Sequence, residues 1–426
     1  MAGVSLDALA QGLAQQAAQP LSAAQREAAF VSVLDTLAVS RAGQGAALLE
    51  RLQQAQGMAA DPDNQALFAA TQAHVLDYDD VQMSSVCHAS AVLVPAMQVL
   101  RARWPGADVA AAYQAGLRAI AAMARLLGPR HYMAGWHATA TLGPIGAAAA
   151  LVQLAGANAQ VLRQALALAA CQASGLQRSF GSDAKPLQAG LAASAGVRAA
   201  LWALASLQGG NVLAANGFLD LYGGQGHGVA TLDEALEPAL HDQVSRKASP
   251  CCYASQRLIA AAAQLHAQGP RWQAGMRLRL EAQRGTLLPL VAQAPRTPND
   301  AKFCGSYLAA SALLDGAVGL RHFTPTALER GETHQCMAAI DIVEVGEPAA
   351  ALEDGVVQGA LMDAAGQVLA ETRIEYFPGS PQWPLDTTQL QAKVLDCCAG
   401  DALQAEQLWQ EARALVAHPL STGGQA

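Results

Sequence analysis

Three short polar segments interrupt long apolar stretches in the first half of the chain. The first runs His74-Val-Leu-Asp-Tyr-Asp-Asp80 and continues to His88. Carboxylates beside imidazoles are what proton transfer needs, because a carboxylate can orient a histidine and fix its tautomer. The second segment is His131-Tyr132-Met-Ala-Gly-Trp-His137, followed by Ala138-Thr-Ala-Thr-Leu-Gly143. His137 would stand at a helix start, where unpaired N–H groups and the helix dipole favour an anion. The third is Arg178-Ser-Phe-Gly-Ser-Asp-Ala-Lys185-Pro186, and Lys185 is the only lysine before Lys247. A lone ammonium at a Pro-initiated helix start is a natural anion contact. Each segment also has a plain reading: a solvated capped loop, a histidine capping its own helix, and a surface lysine.

Composition narrows the chemistry. The formal net charge is −8 and no Lys/Arg run occurs, so the electrostatic footprint of a nucleic-acid binder is missing. None of the eight cysteines forms a C-x-x-C pair. The adjacent pairs Cys251-Cys252 and Cys397-Cys398 are poorly placed to chelate one zinc, so free, mostly buried thiols are expected and no metal set is read from the spacing. The first basic residue is Arg26, which argues against a signal or transit peptide. No apolar run reaches the ~18–20 residues of a membrane span. The expectation is a cytoplasmic protein with no membrane contact.

The elements that must position these residues are mostly helices. Apolar residues recur three and four apart, predicting helices over 23–40, 48–56, 66–74, 90–102, 108–127, 139–154, 158–174 and 187–207. The pattern changes after Pro250. Alternation predicts strands over 276–282, 337–345, 356–361 and 368–377, with Asp363–Gly366 turning the last two into a hairpin and a helix over 303–318. Helical periodicity returns over 388–398 and 402–417. At 426 residues one core is rarely enough. The fold class is therefore mainly α with an α+β second domain. An all-helical domain over 1–255, completed by 388–426, would carry a smaller antiparallel-sheet lid over 256–387.

Taken together, these segments resemble the MmgE/PrpD family, whose members act on small carboxylic acids. The marks are H-x-x-D-[FY]-D-D followed by His (His74–Asp80, His88), G-x-H-x-T-x-x-x-G (Gly135–Gly143) and K-P opening a helix (Lys185-Pro186). Ala301-Lys302-Phe303 with Tyr307, and the turn Pro250-Cys-Cys-Tyr253, add two more. The resemblance implies a homodimer, no metal or organic cofactor, and a site between the domains. By motif position the site residues it implies are Asp77, His88, His137, Lys185 and Tyr307, and, from the epimerase branch, Tyr132; Asp77 and His88 would form the orienting pair. Two departures stand out: Val81 where lyase members often carry Thr, and Gln256 where many carry His.

The shared chemistry is proton transfer at carbon next to a carboxylate, which needs positive charge and donors in a water-poor site. Lys185 and Arg178 would supply charge, His137 or a neutral Lys185 the base, and Tyr132 or His88 a second acid. Gln256 and Tyr307 would complete substrate binding from the smaller domain. The function expected is a lyase of the 2-methylcitrate dehydratase type acting on a small di- or tricarboxylate. An iminodisuccinate-type epimerase and a catalytically weak carboxylate-binding protein are the alternatives.

Overall fold

The computed structural model describes residues 4–57, 60–223, 228–237, 243–290, 294–349 and 355–417. Its first half is a stack of helices whose small side chains let them approach closely. Ala138–Leu154 sits at the centre, buried on nearly every face. It packs against Val109–Leu127 and Ala184–Leu204, and the latter packs on Pro62–His74. Glycine is required at the last contact: a Cβ on Gly190 would run into the Leu67 carbonyl and the Thr71 hydroxyl. Caps set several starts, as at Ser22, which forms a capping box with Gln25, and Asn158, which accepts from the Gln160 and Val161 amides.

Eight predicted helices occupy their expected places within a few residues. Others were missed, among them Leu6–Ala17, whose Leu6, Leu9 and Leu13 are buried in the helical core, and Gln256–Gln268 in the second half. The returning helices Thr387–Cys397 and Ala402–Val416 also join that core, through Leu390, Val394, Cys397, Ala412, Leu415 and Val416.

A two-stranded ribbon ties the polar loop to the chain crossing between the halves: β1 (Val81–Gln82) pairs antiparallel with β2 (Val244–Ser245). A second core belongs to a four-stranded sheet and the helices Gln256–Gln268 and Gly305–Asp315. Its strands are β3 (Arg277–Gln283), β4 (Ile340–Val345), β5 (Val357–Met362) and β6 (Val368–Ile374), in the order β4-β3-β5-β6. Leu278, Leu280 and Ala282 point into the core while Arg277 and Arg279 face out, the alternation of a half-buried sheet. The hairpin of β5 and β6 turns at Asp363 as expected. The sheet is not purely antiparallel, however: β3 and β4 run parallel. The intervening helices carry the chain back across the sheet, which parallel pairing requires. The strand expected over 337–345 is also shorter, because Met337 closes the helix Gly331–Ala338. Among the described residues no helix is long and apolar enough to cross a membrane.

Candidate active site

The Pro62–His74 helix ends at His74, and the chain then turns through Asp77 in the left-handed region, φ 54°. Aspartate tolerates that conformation better than most residues. A second turn leads to His88, and here Val86 has φ 55°. A β-branched residue at positive φ is strained, and such strain gathers at functional sites. Both residues line a cavity with His88, Tyr132, His137, Phe180, Lys185, Cys252 and Phe303. Its walls come from both halves of the chain. About 30 Å³ is open to the centres of water molecules. A wider depression of about 550 Å³ lies on the open face of the sheet around Arg279 and Arg373. Its polar groups are exposed, and none converges on a point.

Asp79 organises the histidines. Its Oδ2 lies 2.9 Å from Nδ1 of both His74 and His88. Burial alone would raise this carboxyl, but His74 and His88 hold it well below the ordinary carboxylate range. An ionised carboxylate only accepts, so both Nδ1 atoms carry protons and both Nε2 atoms are bare acceptors. His137 reaches the same state by another route: its Nδ1 is 2.7 Å from Gln188 Oε1, and its buried Nε2 has no partner. It occupies the N-cap position of Ala138–Leu154 without capping it. Burial and then Lys185 push His137 well below its ordinary pKa. Burial, opposed by Asp79 and assisted by Lys247, brings His88 down to about 3. All three rings are therefore neutral near pH 7.

Asp77 does not orient a histidine. Its Oδ1 is 3.9 Å from His88 Nε2 but 2.6 Å from the ammonium groups of both Lys185 and Lys247. Burial favours the neutral acid, yet those two lysines keep it ionised, well below the ordinary range. Its Oδ2 is buried and unpaired.

The chain has four lysines, and all four are buried against residues 75–78. Lys302 donates to the Leu76 carbonyl at 2.7 Å, Lys247 to the Asp77 carbonyl at 2.9 Å, and Lys393 to the Tyr78 carbonyl at 2.8 Å. Lys185 takes the Asp77 carboxylate. Burial lowers Lys302 to about 8. Lys247 is raised, because Asp77 and Asp79 outweigh the burial that would lower it. The loop that bears Asp77 is thus held by ammonium groups from four distant parts of the sequence.

The structure brings together Asp77, His88, Tyr132, His137 and Lys185, all on the cavity wall. It does not bring Arg178, Gln256 or Tyr307 there. Arg178 is exposed on the short turn Gln177–Ser179. Gln256 is buried and spends its amide on the Ser249 carbonyl and the Cys251 thiol. The Tyr307 hydroxyl donates to the His322 carbonyl, inside the second core. Asp79 and Lys247 were missed. Asp79 stood inside the first polar segment, and Lys247 had a signal in the scarcity of lysine itself.

His74, Asp77, Asp79 and His88 place possible metal-ligand atoms within 4.8 Å of one another. Asp79 is already taken by two ring N–H donors and Asp77 Oδ1 by two ammonium groups, while His74 Nε2 and Asp77 Oδ2 have no partner. A divalent cation there would stand beside the two ammonium groups on Asp77, whose positive charge opposes it. The Cys252 thiol is raised by burial to about 11 and is protonated at neutral pH. The cavity thus offers bare acceptors on Asp77 and His137 opposite the Lys185 ammonium and the Tyr132 hydroxyl.

Residues 7–227 match the family model of the MmgE/PrpD N-terminal domain, and residues 249–416 that of the MmgE/PrpD C-terminal domain. Cis-aconitate decarboxylase of Homo sapiens is 24% identical over 299 residues, which make up 63% of this chain and 59% of that protein.

Proposed function

The chain belongs to the MmgE/PrpD family, and on that premise we propose that it is a lyase removing water from a small hydroxylated di- or tricarboxylate. The observation that carries this reading is the pair of buried, unpartnered acceptors on the cavity wall, Asp77 Oδ2 and His137 Nε2. Unpaired buried acceptors cost about 1–3 kcal/mol each, and a substrate hydroxyl relieves that cost by donating to one of them. An unsaturated acid of the aconitate type brings no hydroxyl and leaves both unpaired.

In this reading a substrate carboxylate binds beside Lys185, and its negative charge raises the proton affinity of His137. His137 Nε2 then removes the proton next to that carboxylate. Charge developing on the carboxylate is met by the Lys185 ammonium in a nearly dry cavity. Asp77 holds Lys185 and Lys247, and its Oδ2 receives the hydroxyl. Tyr132, whose hydroxyl has no hydrogen bond among the described residues, delivers a proton to the leaving oxygen. Burial holds that phenol above its usual range, so it remains a proton donor at neutral pH. Gln188 fixes the tautomer of His137, and Asp79 those of His74 and His88.

The test compares a hydroxy acid with its deoxy analogue by calorimetry. Citrate is expected to bind at least about 5-fold more tightly than propane-1,2,3-tricarboxylate, the ratio that one unpaired buried acceptor implies. Equal affinities would remove the hydroxyl from the argument. A second reading, epimerisation at the α-carbon, is favoured by Tyr132 itself, since a free phenol in the cavity could return a proton where His137 removed one.

A further inference from the structure

The cavity leaves only about 30 Å³ for the centres of water molecules, a tight space for a di- or tricarboxylate. Something must move, and the packing around Lys185 identifies it. The ammonium lies 5.3 Å from the Phe180 ring centre and 5.5 Å from that of Phe303. The two rings are 6.1 Å apart, one from each half of the chain. Phe180 also stands edge-on to His137 at 5.0 Å. It therefore covers both the expected carboxylate contact and the expected base. Phe303 is buried, whereas Phe180 is partly exposed, so Phe180 is the member of the pair nearer solvent.

The segment carrying Phe180 is tied down on one side only. Gln177 fastens it to the Tyr132–His137 turn: its amide N–H donates to the Gly135 carbonyl, and its side chain to the Tyr132 and Trp136 carbonyls. Beyond that point the bonding is local. Apart from the exposed Arg51–Asp183 ion pair, every hydrogen bond of residues 178–183 among the described residues closes within 176–187. Gly181 follows Phe180 at φ 83°, a conformation glycine enters and leaves without a Cβ penalty. Next to it is space, the nearest atom to an added Cβ being Phe303 Cδ2 at 4.0 Å. The ring can swing outward without breaking a bond to the rest of the protein.

We propose that Phe180 is the gate of this cavity and its specificity-determining residue. Its ring leaves His137 and Lys185 to admit a carboxylate, and on return it limits the bulk of the substituent beside the reacting carbon. The inference deepens the function proposed above and rests on Lys185 as the carboxylate contact.

The four lysines supply a readout that needs no turnover. All are 5% exposed or less, so acetylation of the native protein by N-hydroxysuccinimidyl acetate should be slow at each, as mapped by peptide mass spectrometry. In Phe180→Ala, Lys185 is expected to react at least about 10-fold faster, while Lys247, Lys302 and Lys393 keep their wild-type rates. Phe180→Leu, the milder change, falls between. An unchanged Lys185 overturns the gate, and so does acceleration of all four lysines together, which would mean general loosening. Saturating citrate tests the underlying reading separately. Acceleration without protection of Lys185 by citrate keeps the gate and removes the carboxylate contact; protection without acceleration does the reverse. The specificity claim is read from dissociation constants of 2-benzylsuccinate and succinate. Their ratio should move by 10-fold or more towards the bulky acid in Phe180→Ala, and an unmoved ratio overturns it.

Discussion

Single atoms decide the chemistry here, and most of them are bare nitrogens and oxygens. His137 and Lys185 are expected to be worth about 10²–10⁴ in rate each, measured as turnover of the hydroxy acid by His137→Ala and Lys185→Ala. Wild-type turnover in either would sink the assignment. Asp79 touches no substrate in this account, yet Asp79→Asn should fall in the same range, because the amide lacks the charge that favours both Nδ1–H donors and its NH2 would face His74 Nδ1 where Oδ1 now lies at 3.0 Å. The low proton affinity of the rings makes a further prediction. With burial bringing His88 to about 3 and His137 well below its usual value, kcat/KM for a fully ionised substrate should show no break near pH 6.5. An ordinary histidine break there would contradict the neutral triad. At this scale the sequence was partly legible. The polar islands stood out against apolar helices, so His88, His137 and Lys185 were visible as residue types. Their pairing was not: Asp77 and Asp79 are two apart, and only the left-handed turn at Asp77 sends one to the lysines and the other to the histidines.

At the scale of elements, buried lysines clip distant segments to one loop. Lys393, on the returning helix Thr387–Cys397, pairs with Asp35 of the helix Ala23–Gly43 at 2.6 Å, with both side chains almost fully buried. Burial raises Asp35 and Lys393 opposes that rise. Removing one partner strands the other, so Lys393→Met should cost about 3–5 kcal/mol in urea denaturation. Adding Asp35→Asn should recover most of the loss. If the single variant matches wild type, the pair carries no weight in the fold. Helix positions were readable from periodicity because packing and period agree over long apolar runs. The parallel pairing of β3 and β4 was not, since an alternating strand looks the same whichever neighbour it takes. Tyr307 and Gln256 were misplaced for a related reason: motif position puts a residue on an element, not on the face that turns to the cavity.

At the scale of the whole molecule, the buried site links stability to pH. His74, His88, His131 and His137 are all lowered, burial being the largest cause in each. An unfolded chain charges these histidines below about pH 6.5, while the native fold does not until lower pH. Stability therefore falls as pH drops from about 6.5 towards 4, by up to about 1.4 kcal/mol per pH unit for each histidine. Asp80 works the other way. Burial and Asp35 raise it to about 6, so the native state binds that proton first and part of the loss is offset. Urea midpoints at pH 7, 6 and 5 should decline in that order, and a flat series would contradict neutral burial of the histidines. The same arrangement joins the two parts of the fold: neither half alone surrounds Lys185, whose partners are Asp77 and Phe180 from one half and Phe303 from the other.

The central claim, elimination of water from a hydroxylated polycarboxylate, is tested most directly by proton NMR in D2O with citrate, 2-methylcitrate and shorter hydroxy acids. New vinylic signals that disappear in His137→Ala are predicted. Solvent deuterium appearing at the α-carbon with no vinylic product would contradict the account and establish epimerisation in its place.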